Sequence, residues 1–265
     1  MDYLYNKWNE LKENFKKKFL YIFLDYDGTL TPIVKNPKEA IISQETKTLL
    51  QQLANSQECK LAIISGRALK DIKKIVSLKN IIYVGNHGFE IEGSKIKFES
   101  PGLFNYKGVL KKIKNDLDER LSKFKGVFLE DKGITLAIHY RSADKKDIPL
   151  IKKIFHETIF SSRIKKEVEV KRGKMLLEIR PPRNWDKGKV SLWLLAREQF
   201  ALKNRVIFPV YIGDDVTDED AFKALRNKGL TVFVGNPAKT TAQYHLRDTQ
   251  EVLEFLRQIW ELQRT

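Results

Sequence analysis

The sequence predicts an α/β fold: a Rossmann-like parallel sheet core with an inserted α+β (αββαββ) block. Three observations carry this. Near both ends of the chain, apolar runs of strand length alternate with segments of helical periodicity, which argues for parallel strands with helices on both faces. Between about residues 105 and 180 the alternation gives way to two helix-then-hairpin units. Groups able to do chemistry recur where the core strands end. Residues 1–104 and 181–265 are therefore assigned to the core and 105–180 to the insertion, in a chain of 265 residues, long enough for one large domain or two modest ones.

The elements follow in order. Leu4, Trp8, Leu11 and Phe15 share one helical face, predicting an N-terminal helix packed by its apolar stripe. YIFLDYD reads as a buried strand because its apolar residues are continuous rather than alternating. A helix around residues 43–56, the strand KLAIISG, the helix ALKDIKKIV and the strand IIYVGNHG complete a βαβαβ run. In the insertion, KGVLKKIKNDLDERLSK is a polar helix and VFLEDKGITLAIHYR a hairpin turning at Lys132 and Gly133. IPLIKKIFHETIF and KKEVEVKRGKMLLEIR repeat that unit, the second hairpin turning at Arg172 and Gly173. Pro181 and Pro182 stiffen the return crossing, where a hinge is expected. The helix KVSLWLLAREQF, the strand VYIGDD, the helix DEDAFKALRN and the strand TVFVG then resume the core. An inserted sheet over the strand ends is expected to form a cleft, since open α/β folds bind ligands at those carboxyl ends.

Composition narrows the classes. Hydrophobic residues at 42% and aromatics at 11% exclude a disordered chain. Apolar runs are broken by charge before 18 residues, so no membrane span is expected. The N-terminal segment carries acids and lacks the apolar middle of a signal peptide. The lone Cys59 fits a reducing, cytoplasmic setting, and a monomer is expected. A net charge of +15 suits nucleic acid or phosphorylated small molecules. The lysines are scattered, however, and no arginine-rich arm, zinc-finger spacing or aromatic RNA-binding signature accompanies them. Neither a nucleic-acid nor a membrane partner is expected.

Four segments, DYDGT (25–29), SGR (65–67), DKGK (186–189) and GDDVTDED (213–220), lie at strand ends or helix starts and should converge on one sheet edge. Each has a bland explanation. Asp-Gly after a strand makes turns, Ser65 or Asp186 caps a helix, and acids favour a helix N-terminus. Those explanations leave the shared edge unaccounted for. Together the groups make a phosphoryl-transfer site. Asp25 can attack phosphorus, and Asp27 can protonate the leaving oxygen and later deprotonate water. Ser65 and Lys187 can hold the transferring oxygens. Asp214, Asp215 and Asp218 add negative charge that Mg²⁺ would relieve.

DYDGTLTP, ISGR, RPPRNWDKG and GDDVTDEDAF resemble, in order and content, the four motifs of the haloacid-dehalogenase-like phosphohydrolases. With GNHGFEIEG, EDKGITLAIHYR and GKMLLEIRP, the chain from about residue 19 to 258 is similar to the trehalose-6-phosphate phosphatases. The resemblance implies Asp25 as nucleophile and metal ligand, Asp27 as acid/base offering its backbone carbonyl to the metal, and Asp214 as the third ligand. It gives Asp215 and Asp218 supporting roles beside Mg²⁺, has Ser65 and Lys187 bind phosphate, and has Arg67 steady the loop or meet substrate. Glu130, Lys132, His139, Arg141 and Glu178 are expected to meet the sugars, and Asn86, His87 and Gly88 to line the core side. Residues 105–180 become a substrate-specificity cap, and the expected reaction is Mg²⁺-dependent hydrolysis of trehalose 6-phosphate. Another sugar or glycosyl phosphate, such as sucrose phosphate or a mannosyl-phosphoglycerate, shares that chemistry. A catalytically silent regulatory or nucleic-acid-binding module is the non-enzyme alternative.

Overall fold

A computed structural model describes residues 1–264 apart from 35, 100–102, 161–167, 174, 183–184, 204 and 237–238. The chain divides into two compact units, Met1–Phe98 with Trp185–Thr265, and Glu99–Asn184. No helix among the described residues is long and apolar enough to cross a membrane.

The first unit opens with β1 (Asp2–Tyr3), a 3₁₀ turn and α1 (Trp8–Lys17), followed by β2 (Phe19–Leu24), α2 (Gln44–Asn55), β3 (Cys59–Ile64), α3 (Leu69–Val76) and β4 (Ile82–Gly85). A short hairpin, β5 (Glu90–Gly93) and β6 (Ile96–Glu99), leads toward the second unit. That unit holds α4 (Leu103–Leu121), β7 (Phe128–Asp131), β8 (Leu136–His139), α5 (Ile148–Phe160), β9 (Glu169–Gly173) and β10 (Leu176–Arg180). The first unit resumes with α6 (Lys187–Ala201), β11 (Ile207–Gly213), α7 (Glu219–Leu225), β12 (Leu230–Val234), β13 (Tyr244–Leu246) and α8 (Thr249–Leu262).

The large sheet runs β1-β13-β12-β11-β2-β3-β4-β5-β6. It is parallel from β1 to β4 and turns antiparallel at β5. The continuous apolar run of β2 follows from burial on both faces. Leu20, Ile22 and Leu24 join one core with α1, α2, α3 and α8, while Phe19, Tyr21 and Phe23 join the other with α6 and α7. The chain leaves β2 toward β3 on one side and returns to β11 on the other. This makes the carboxyl end of β2 the switch point where open α/β sheets bind ligands.

In the second unit the sheet order is β7-β8-β10-β9, all antiparallel. Phe128 pairs with His139 and then Leu176, and Glu130 with Ala137 and then Glu178. Side chains alternate across a strand, so Phe128, Glu130, His139 and Glu178 share one face, while the alternate Leu136, Ile138, Leu177 and Ile179 are buried.

Several expectations need correction. The N-terminal stripe packs as expected, with Leu4, Leu11 and Phe15 buried, but the helix begins only at Trp8, because residues 2–3 pair with β13 as a strand. The second hairpin turns beyond Gly173, which still pairs with Leu176, and Met175 takes the left-handed conformation at φ 63°. Residues 183–184 of the expected hinge and the lysine pair at 165–166 lie outside the described residues.

Candidate active site

The switch point gathers the charged groups. Asp25 follows β2 and Asp214 follows the neighbouring β11, and the Asp25 amide donates to the Ile212 carbonyl at 2.9 Å. Lys187 opens α6, whose N-cap is Asp186, the side chain accepting from the Lys189 amide. The bland capping explanation therefore holds for Asp186, while the residue after it does something else. The Lys187 ammonium, only 3% exposed, donates to Asp25 Oδ1 at 2.6 Å and Asp218 Oδ1 at 2.8 Å.

Asp218 is the anchor of this arrangement. It is fully buried, its Oδ1 also accepts from the Tyr211 hydroxyl at 2.7 Å, and its Oδ2 accepts the Asp214 and Asp215 amides at 3.1 Å each. Burial raises its carboxyl above the usual range despite Lys187. Asp215 turns away to accept the Thr217 amide and hydroxyl, both at 2.7 Å. Asp214 lies against Gly28, which has φ +91° and where a Cβ would stand 2.0 Å from Asp214 Oδ2; only glycine satisfies both demands.

Asp25, Asp214 and Asp218 offer carboxylate oxygens within 4.8 Å of one another. Burial, then Asp218 and Asp215, push the Asp214 carboxyl up to about 7. Burial, opposed by Lys187, lifts Asp25 well above its usual range. Hard oxygen donors crowded until they resist ionisation fit an oxygen-seeking divalent cation. Asp218 already accepts four hydrogen bonds, so Asp25 and Asp214 are the residues suited to hold it.

Asp27 stands outside this three-acid group. Arg67 grips both its oxygens, Nε to Oδ2 at 2.7 Å and a terminal nitrogen to Oδ1 at 2.5 Å. Ser65, 1% exposed, caps no helix; α3 starts at Leu69, and the Ser65 Oγ accepts the Arg67 amide at 3.1 Å. The Asn86–Gly88 loop ties into this segment, with the Asn86 amide donating to the Arg67 carbonyl at 2.8 Å and the His87 amide to the Ser65 carbonyl at 3.0 Å. All three loop residues have positive φ, at 50°, 57° and 115°. Such strain persists where surroundings over-determine it: the Asn86 amide side chain donates to Glu90, and the Trp185 indole donates to the Gly88 carbonyl at 2.6 Å.

In the second unit, Glu130 and His139 meet at 2.9 Å, and Lys132 lies 3.5 Å from Glu178 and 3.9 Å from Glu130. Glu178 is 5% exposed and also takes the Arg180 Nε at 2.6 Å. Four of the five expected sugar contacts thus form one cluster, whereas Arg141 lies exposed past the end of β8.

Sequence reasoning missed Tyr211 and Arg180. A tyrosine inside an apolar strand reads as core; the available signal was a hydroxyl two residues before GDD, on a face buried against α7.

The family model for trehalose-phosphatase matches residues 23–250. The chain belongs to the trehalose-phosphatase family. It is 38% identical over 268 residues to a probable trehalose-phosphate phosphatase D of Arabidopsis thaliana, covering 96% of this chain and 70% of the relative. It is 34% identical to trehalose 6-phosphate phosphatase RA3 of Zea mays, covering 92% and 70%. Among solved structures, the C-terminal domain of C. albicans trehalose-6-phosphate phosphatase superposes with a TM-score of 0.77 at 29% identity, covering 96% of this chain and 97% of that one. A haloacid dehalogenase-like hydrolase from Bacteroides thetaiotaomicron, 18% identical, shares the fold with a TM-score of 0.62 over 92% and 100% of the two chains. Membership of this trehalose-phosphatase family makes the protein a hydrolase of phosphate monoesters.

Proposed function

We propose that the protein hydrolyses trehalose 6-phosphate to trehalose and phosphate through an aspartyl-phosphate on Asp25. The observation that carries this is the pairing of buried Asp25 with Lys187 at the sheet's switch point, beside Asp214. Asp25 attacks phosphorus while Asp27 gives a proton to the departing sugar oxygen. Lys187 and the Ser65 hydroxyl hold the phosphoryl oxygens where charge spreads in the transition state. Asp27 then takes a proton from the water that opens the acyl phosphate. Mg²⁺ held by Asp25 and Asp214 would supply positive charge to the phosphoryl group and allow both acids to ionise together.

Residues 105–180 serve in this reading as the specificity cap. Glu130, Lys132 and Glu178, with His139, form an acid-base face whose donors and acceptors suit vicinal sugar hydroxyls, and Arg141, Asn86, His87 and Gly88 are assigned to the same substrate. The test is phosphate release across a panel of sugar phosphates with added Mg²⁺, together with acid quenching and hydroxylamine release of the acyl phosphate. Trehalose 6-phosphate should be preferred and Asp25 should become the hydroxamate. Faster turnover of another sugar phosphate, or a hydroxamate at another residue, rejects the assignment.

A further inference from the structure

The grip of Arg67 on Asp27 has more support than an incidental ion pair requires. The guanidinium uses two nitrogens on the two carboxylate oxygens, a planar fork that fixes orientation as well as charge. It is itself held. One terminal nitrogen donates to the Pro37 carbonyl at 2.8 Å, and the guanidinium carbon sits 5.3 Å from the Tyr26 ring centre. The Tyr26 hydroxyl donates to the Ala40 carbonyl at 2.8 Å, so the same loop anchors ring and guanidinium together. The Arg67 backbone is pinned as well, its amide to Ser65 Oγ and its carbonyl to the Asn86 amide. The Arg67 side chain is 14% exposed.

We infer that Arg67 is the positioning residue of the general acid: it holds both oxygens of the ionised Asp27 carboxylate, and when one oxygen takes up a proton from solvent the remaining contact keeps the carboxyl in one orientation for delivery of that proton to the leaving sugar oxygen. The inference rests on the reading of Asp27 as that acid. A carboxylate on a turn has two side-chain torsions to fix, and misplacing a catalytic group by about 1 Å costs on the order of 10²-fold. The cost falls only on steps that need the proton. Alkoxide from a sugar is a poor leaving group, whereas 4-nitrophenolate departs without protonation.

The experiment measures single-turnover phosphorylation of the intact, Mg²⁺-loaded protein with two substrates, a sugar phosphate that it turns over and 4-nitrophenyl phosphate. Variants are Arg67→Ala, Arg67→Lys, Asp27→Asn and the double variant Asp27→Asn/Arg67→Ala. Arg67→Lys keeps a cation beside Tyr26 and guards against a failure to fold. For both Arg67 variants we expect a loss at least about tenfold greater on the sugar phosphate than on the aryl phosphate, and no further sugar-phosphate loss when Arg67→Ala is added to Asp27→Asn. Equal losses on both substrates in the Arg67 variants, or multiplying losses in the double variant, overturn the inference. If Asp27→Asn shows the skew and the Arg67 variants do not, the inference fails alone; if Asp27→Asn shows no skew, the assignment of the acid fails with it.

Discussion

Removing Mg²⁺ should make stability fall as pH rises, and the Asp214 environment sets the size of that fall. In the folded protein without a cation, burial and the neighbouring acids hold the Asp214 carboxyl near 7, against an ordinary value of 3.8. A carboxyl raised on folding favours the folded state below its unfolded value, and that advantage is lost as pH climbs through the folded one. The window therefore runs from about pH 4 to about pH 7. At about 1.4 kcal/mol per decade of proton activity, the full span corresponds to about 4 kcal/mol. For a domain of this size that shifts a two-state melt by about 8–16 °C. The assay is differential scanning calorimetry from pH 4 to 8 in EDTA or in excess Mg²⁺, with Asp214→Asn as control. The melting temperature in EDTA should drop by about 10 °C more than in Mg²⁺, and Asp214→Asn should reduce the difference. Parallel profiles with and without Mg²⁺, or an unchanged slope in Asp214→Asn, would refute the assignment of this carboxylate to the cation site.

Asp25→Asn should abolish turnover with the fold intact by circular dichroism, since an amide neither attacks phosphorus nor carries the ligand charge; substantial residual activity would remove Asp25 from its role. Tyr211→Phe deletes a hydrogen bond to a buried carboxylate and should destabilise by about 1.5–3 kcal/mol in urea unfolding; an unchanged midpoint would show that Asp218 does not need the hydroxyl. Glu130→Ala with Lys132→Ala should lower kcat/KM for trehalose 6-phosphate at least about tenfold, and equal damage to 4-nitrophenyl phosphate hydrolysis would assign the pair to stability instead.

The parts of the fold with strong periodicity were legible in the sequence, and the weak ones were not. β2, β3, β4 and β11 announced themselves by runs that two cores demand. β1 with two residues and β13 with three are too short to impose a pattern, and their pairing is decided by the sheet they join. At the site, DYDGT and GDDVTDED could be placed together because adjacent parallel strands end together. The partners of single side chains could not be read in that way. Arg67 and Asp27 lie 40 residues apart, and nothing in SGR tells whether the guanidinium faces substrate or a carboxylate. Likewise Ser65 reads equally well as a helix cap until the start of α3 is known.

The packing of His87 on Gly66 makes two distant positions into one steric unit. A Cβ at residue 66 would lie 2.6 Å from the imidazole, and that imidazole belongs to a residue already bent to φ 57°. Among related sequences, the two positions should change as a pair: a side chain at 66 requires the imidazole at 87 to move aside or residue 87 to shrink. Directed evolution that varies position 66 alone should return little there, whereas libraries that vary both together can reach new backbone courses for the segment that bears Ser65 and Arg67.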